Sequence, residues 1–120
     1  MSIAVKPLRW PSVMLVATLA VSALALAADP AQGLSPLAAK QHCDECHAMR
    51  ETRIGPSFEA VALRYSVEGP EAQERLARKI IYGGAGSWGN IPMVANERVS
   101  LEDARAIAHW ILSLAPAAAR

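Results

Sequence analysis

The 120-residue chain has only two cysteines, no excess of charge of either sign, and no run of β-branched residues that would suggest strands. Its 12 Lys and Arg residues against 11 Asp and Glu residues give a formal net charge of +1 at pH 7. No basic patch stands out, so nucleic acid is not an expected partner. At this length the chain forms one small domain and has no room for a second.

The first 27 residues have the pattern of a secretory signal. Met1 to Pro11 carries basic but no acidic residues, and an apolar run follows from Val13 to about Ala25. Ala25-Leu26-Ala27 is a small-residue cleavage pattern, so we expect residues 1–27 to be removed and residues 28–120 to form the mature domain. An uncleaved anchor is the alternative, because the apolar stretch is close to the lower limit for a spanning helix, about 17 residues. After cleavage we expect a periplasmic protein without a membrane span.

The mature domain is small and nearly neutral. Residues 28–120 contain one more acidic residue than basic residues. A domain of this size buries little of its own apolar surface, and small folds commonly need a disulfide, a metal or another staple. A bound cofactor would supply the missing core.

The two cysteines occur together as Cys43-Asp44-Glu45-Cys46-His47. This C-x-x-C-H spacing is the attachment sequence of a c-type haem, with the histidine as an axial ligand to the iron. A disulfide between the two cysteines would close too short a loop to stabilise much. A thioredoxin-like motif needs an α/β context, and zinc needs four ligands where His42 and His109 lie far apart in the sequence. The motif therefore predicts one covalently bound haem.

Capping residues and apolar periodicity predict four helices. The first begins at Ser35-Pro36 and runs about two turns toward Cys43, and the second begins at Ser57. The third runs from Pro70 to about Tyr82, and the last begins at Ser100. The buried faces are expected to contain Phe58, Val61, Ala62 and Tyr65 in the second helix, Leu76, Ala77, Ile80 and Ile81 in the third, and Leu101, Ala104, Ile107, Ala108, Trp110, Ile111 and Leu114 in the last.

The segment from Gly83 to Glu97 has too many glycine and proline residues for regular structure to be expected. It nevertheless contains the apolar residues Trp88, Ile91, Met93 and Val94, so we expect an irregular loop that covers something.

Met93 is the best candidate for the second axial ligand. A thioether is a common ligand opposite histidine, and Pro92 stiffens the loop. Met49 follows His47 too closely to reach the opposite face of the haem. His109 is the alternative, but its position within the predicted last helix favours a surface histidine.

The combination of Cys43-Asp44-Glu45-Cys46-His47, Ile54-Gly55-Pro56, Trp88-Gly89-Asn90-Ile91-Pro92-Met93 and Asn96 resembles a class I cytochrome c of the small bacterial monohaem type. The resemblance covers roughly Ser35 to Leu114. It implies an all-α cytochrome c fold of about four helices around one haem c, attached through Cys43 and Cys46, with iron bound by His47 and Met93.

The resemblance also implies roles for four further residues. Pro56 would accept the Nδ1–H hydrogen bond of His47, and Asn96 would hydrogen-bond near the Met93 sulfur. Trp88 and Lys79 would reach a haem propionate. Two departures stand out: relatives often have an arginine at the place of Lys79, and prolines where Val94-Ala95 follows Met93.

From these features we expect an electron carrier, not an enzyme, that exchanges one electron with periplasmic redox enzymes acting as donor and acceptor. We expect a monomer. The alternatives are the electron-accepting subunit of a periplasmic oxidoreductase, a peroxidase activity, or a gas-sensing haem protein with a weak sixth ligand.

Overall fold

The computed structural model describes residues 1, 2, 4 and 33–119. Four α-helices carry the fold: α1 (Pro36–Lys40), α2 (Phe58–Ser66), α3 (Ala72–Tyr82) and α4 (Leu101–Ser113). Short 3₁₀ turns lie at Cys43–Glu45, Gly69–Glu71 and Ala117–Ala119. The strands β1 (Gly84–Gly86) and β2 (Gly89–Met93) lie between α3 and α4. The all-α class with four helices is confirmed, whereas the predicted signal at residues 1–27 lies, apart from three positions, outside the described residues.

Serine caps begin three of the helices, as the sequence predicts. The side-chain oxygens of Ser35, Ser57 and Ser100 each accept a hydrogen bond from the backbone N–H three residues later, at 3.4, 3.1 and 3.0 Å. Each bond satisfies one of the backbone donors that a helix leaves free at its first turn. The start of α1, α2 and α4 is therefore determined locally.

Three details of the helix predictions are wrong. The first helix is only five residues long and ends at Lys40, because His42 adopts the left-handed conformation with φ of 59°. The third begins at Ala72, since Gly69–Glu71 forms a 3₁₀ turn first. Leu101 is 42% exposed at the first position of α4, where its side chain lies outside the core.

The core lies where α4 packs along α3 and α2. Ala62, Ala77, Ala104 and Ala108 are fully buried, and such small side chains let helices approach closely. At the surface, Arg105 of α4 binds Glu74 of α3 through two hydrogen bonds of 2.8 and 3.0 Å. The predicted core face of α2 is confirmed in full, and that of α3 except for Ile81, which is half-buried. On α4 the prediction is confirmed for Ala104, Ile107, Ala108 and Ile111, whereas Trp110 and Leu114 are half-buried.

The segment after α3 is a β-hairpin, so the expectation of an irregular loop is wrong. β1 and β2 pair antiparallel, with Gly84 opposite Met93 and Gly86 opposite Gly89. Gly84, Gly86 and Gly89 have φ values of 138°, 91° and 106°, which side chains disfavour. The glycines that suggested an irregular loop are thus the residues whose backbone conformation allows the hairpin.

Candidate haem-binding site

The two cysteines and His47 lie on a tight turn rather than on a continuous helix. The 3₁₀ turn Cys43–Glu45 is closed by hydrogen bonds from the N–H groups of Cys46 and His47 to the Cys43 carbonyl, at 3.3 and 3.0 Å. Both cysteines are free thiols and both line one large cavity together with His47. Burial, followed by the nearby Asp44 carboxylate, raises the pKa of the Cys43 thiol. The turn therefore presents two thiols and an imidazole to the same space.

The His47 ring is fixed by a hydrogen bond and by packing. Its Nδ1 lies 2.6 Å from the carbonyl oxygen of Pro56. Because a carbonyl only accepts, Nδ1 donates the proton, and Nε2 of the neutral ring is left free to bind a metal. Phe58 packs beside the imidazole, with ring centroids 5.4 Å apart. His47 thus has the tautomer and the fixed orientation typical of metal-bound histidine.

Gly55 is a site residue that the sequence analysis names in the motif Ile54-Gly55-Pro56 but to which it gives no role. A Cβ atom at this position would lie 2.5 Å from Cε1 and 2.8 Å from Nδ1 of His47. Its backbone N–H donates to the Cys46 carbonyl at 2.9 Å, which brings the Gly55-Pro56 segment against the haem motif. Only glycine lets the backbone lie this close to the ring. Its place before Pro56 was the available signal.

The cavity has a volume of about 600 Å³ and an apolar floor. Seven buried side chains of α2, α3 and α4 form that floor: Phe58, Val61, Tyr65, Leu76, Ile80, Ile107 and Ile111. Part of the hydrophobic core therefore also forms the floor of the site.

Met93 lines the same cavity as His47 and is half-buried at the end of β2. Met49 packs against the hydrophobic core, but it is not among the residues that line the cavity. His109 is exposed on α4 and also lies outside the lining. Of the candidate ligands, His47 and Met93 thus line the same cavity.

The backbone at Met93 lies directly against Gly83, a second residue that the sequence reasoning did not identify as part of the site. A Cβ atom on Gly83 would overlap the Met93 carbonyl oxygen and lie 2.9 Å from the backbone N of Ala95. Gly83 also has φ of 68° and ψ of −155°, a conformation that is essentially restricted to glycine. The sequence marks this residue only as the first of the expected irregular loop.

Asn96 holds the chain that follows Met93 onto α3. Its side-chain Nδ2 donates to the carbonyls of Ile80 and Val94, at 2.9 and 3.3 Å, and its backbone N–H donates to the Ile81 carbonyl at 3.0 Å. These bonds go to backbone oxygens, so Asn96 positions the Met93 segment through the main chain.

Lys79 and Trp88 lie at another part of the cavity wall. Lys79 Nζ donates to the Ser87 side-chain oxygen at 2.9 Å, which leaves two of its three N–H donors available. Trp88 is 42% exposed, and its indole N–H is a donor. These donors suit an anionic group such as a carboxylate.

The residues present fit a c-type haem. Two free thiols, an imidazole with one nitrogen already bonded, a thioether, an apolar floor, and one cationic and one neutral donor at the wall surround one cavity. Haem needs an apolar pocket for its ring, axial ligands for its iron and partners for its propionates.

Comparisons with known proteins agree with this assignment. The family model described as Cytochrome c matches residues 35–115. Cytochrome c-552 of Nitrosomonas europaea is 43% identical over 97 residues, which is 81% of this chain and 92% of that protein. Cytochrome c-551 of Allochromatium vinosum is 40% identical over 78 residues, 65% of this chain and 82% of that protein.

Solved structures give the same result. The crystal structure of wild-type Nitrosomonas europaea cytochrome c552 superposes with a TM-score of 0.62 at 42% identity, covering 65% of this chain and 95% of that chain. A class 1 cytochrome of Sideroxydans lithotrophicus superposes with a TM-score of 0.55 at 27% identity, covering 72% of this chain and 94% of that chain.

Proposed function

The chain belongs to the cytochrome c family of electron-transfer haem proteins, and from this premise we propose that it shuttles one electron between larger redox enzymes of the periplasm. One haem c would be attached through Cys43 and Cys46, with His47 and Met93 as the axial ligands. The observation that carries the proposal is that His47, held by Pro56, and Met93 line the same cavity.

The haem supplies an iron that gains and loses one electron, and the residues of the chain control its surroundings. The Pro56 carbonyl holds His47 in one orientation and raises its basicity as a ligand. Asn96 ties the segment after Met93 to α3, which limits how far the thioether can move. The seven buried residues of the floor exclude water. The residues around the haem then need to rearrange little when the charge of the iron changes, which favours fast electron transfer.

Lys79 and Trp88 are proposed to hold a haem propionate. Lys79 supplies a positive charge with two free donors, and the exposed tryptophan supplies its indole N–H. Lysine gives a point charge where arginine would give a planar fork, so this contact fixes the propionate less rigidly than an arginine would.

The proposed docking surface is the apolar mouth of the cavity. Ile54, Ile91 and Val94 line the cavity yet are 61%, 67% and 70% exposed. Redox partners form small and transient interfaces, under about 1,200 Å². A nearly neutral chain with an apolar mouth would bind them with little electrostatic steering, so the rate should depend only modestly on salt.

The periplasmic location rests on the signal pattern at residues 1–27, which we propose is cleaved after Ala27. In the described ranges, none of the helices combines the length and apolar character that crossing a membrane requires. Mass spectrometry of the exported protein should give a mature chain that starts at Ala28.

Stopped-flow oxidation of the reduced protein by a periplasmic terminal reductase or oxidase tests the function. We expect fast electron exchange that changes little with ionic strength, together with slow CO binding and negligible peroxide turnover. Rapid CO binding or substantial peroxide turnover, without fast exchange with any redox partner, would instead favour a sensor or an enzyme.

A further inference from the structure

The hairpin that carries Trp88 and Met93 has almost no buried side chains to hold it on the helices. Every residue of β1 is exposed, and so is every residue of β2 before Met93. A two-stranded hairpin is at best marginally stable in water by itself. Its position therefore depends on polar contacts with the helices.

Two such contacts meet at Ser87, in the turn of the hairpin. Arg64 of α2 donates from its guanidinium group to the Ser87 carbonyl oxygen at 2.7 Å. Lys79 of α3 donates from Nζ to the Ser87 side-chain oxygen at 2.9 Å. Ser87 is half-buried although its neighbours in the turn are exposed. Two different helices thus hold one residue of the hairpin.

Arg64 makes a further contact with the next residue. Its guanidinium carbon lies 4.9 Å from the centroid of the Trp88 ring, within the range of a cation–π interaction. Trp88 lines the cavity, whereas Arg64 is not among the lining residues. Arg64 therefore reaches the site through Trp88 and Ser87 and not directly.

We propose that Arg64 is a positioning residue of the haem site. It holds the Trp88 indole and the turn of the hairpin against the cavity, and so keeps the strand that carries Met93 closed over the haem. The proposal rests on the proposed function, because it takes the haem to occupy this cavity.

The chemistry of arginine suits this position better than that of lysine. A planar guanidinium group can stack on an indole ring while one of its N–H groups donates to a carbonyl. Lysine would keep the positive charge but offers only a compact ammonium group. Arg64→Lys should therefore restore part of the effect, and Arg64→Gln should lose it.

The test uses the full haem-loaded protein and compares Arg64→Gln, Arg64→Lys and Arg78→Gln with the wild type. Arg78 is the matched control, because it is an exposed arginine of neighbouring α3. One readout is hydrogen exchange of the β1 and β2 backbone amides, with the α4 amides as an internal reference for global stability. The other is the rate at which imidazole binds the oxidised iron.

For Arg64→Gln we expect hairpin exchange and imidazole binding to rise about thirtyfold, the combined effect of one charged hydrogen bond and one exposed cation–π contact. Exchange in α4 should rise by no more than exchange in the hairpin, because the slowest amides report global unfolding, in which the same contacts are lost. Arg78→Gln should change both readouts by less than about twofold, as surface substitutions usually do. Arg64→Lys should fall between Arg64→Gln and the wild type.

Unchanged hairpin exchange in Arg64→Gln would overturn the proposal. So would an unchanged rate of imidazole binding, which would mean that loosening the hairpin does not open the iron site, or an equal effect of Arg78→Gln, which would mean that only net charge matters. The two proposals can fail separately. Wild-type protein that binds imidazole as fast as Met93→Ala would contradict Met93 ligation, whereas the hairpin exchange rates would still decide the role of Arg64.

Discussion

At the scale of single residues, the site depends on two glycines, which have no side chain. The backbone of Gly55 lies against the His47 ring, and that of Gly83 lies against the Met93 carbonyl. Each glycine lets the main chain approach one of the two proposed axial ligands. The ligands are thus positioned by close backbone contact as well as by hydrogen bonds.

Gly83→Ala should displace Met93 and weaken the sulfur-to-iron absorption band of the oxidised, folded protein. Gly86→Ala is the matched control, because Gly86 also has a positive φ of 91° but has nothing within 4 Å of an added Cβ atom. Both variants should lose about 1–3 kcal/mol to backbone strain, but only Gly83→Ala should lose the band. Visible spectra recorded well below each melting temperature check this. Equal band intensity in the two variants would show that Gly83 does not position the methionine.

At the scale of secondary structure, the sequence predicted the helices well and the hairpin not at all. Serine caps and the apolar period define α2 and α4, because both signals are local. The hairpin has exposed strands with no alternating pattern, and its determinants are positive-φ glycines that also occur in loops. The roles of Gly83 and Arg64 depend on contacts between residues distant in the sequence, which no local pattern encodes. The family motifs supplied Pro56, Trp88 and Asn96 instead.

The Glu74–Arg105 pair between α3 and α4 gives a prediction about pH. The hydrogen bonds and charge of Arg105 hold the pKa of Glu74 below its ordinary value. The pair therefore stabilises the fold fully above the ordinary glutamate pKa, and this contribution is lost as the pH falls through the lowered value. Arg105→Gln should lower the melting temperature slightly at neutral pH and not at strongly acidic pH.

Thermal unfolding of wild type and variant across this pH range, in low and high salt, measures the difference. Both groups are solvent-exposed, so the effect should be small and should shrink in high salt. Arg98→Gln is the control, since the described residues include no ion pair for this exposed arginine. A difference in melting temperature between wild type and Arg105→Gln that stays constant down to strongly acidic pH would contradict the role of Glu74.

At the scale of the whole molecule, part of the hydrophobic core also forms the proposed haem pocket. The buried faces of α2, α3 and α4 form the floor of a cavity of about 600 Å³. Because the mouth of the cavity is open, water would enter it without haem, and wetting its seven apolar floor residues would cost up to about 10 kcal/mol. That is comparable with the entire stability of a small domain, about 5–15 kcal/mol. The domain should therefore fold stably only with haem in place.

Replacing both attachment cysteines tests this dependence. Cys43→Ser combined with Cys46→Ser should abolish haem that survives denaturing electrophoresis, and should leave a chain with reduced helical circular dichroism. Asp44→Asn with Glu45→Gln is the control, because these two exposed residues lie between the cysteines and offer no thiol. Covalent haem in the double serine variant, or full helicity without haem, would contradict this view of the fold.

The central claim is that an imidazole and a thioether fill both axial positions of the iron in either oxidation state. X-ray absorption at the iron edge, on the reduced and the oxidised haem-loaded protein, tests it most directly. We predict a sulfur atom in the first coordination shell in both states, lost in Met93→Ala and retained in His109→Ala. A first shell without sulfur in the wild type, or sulfur that persists in Met93→Ala, would contradict the claim.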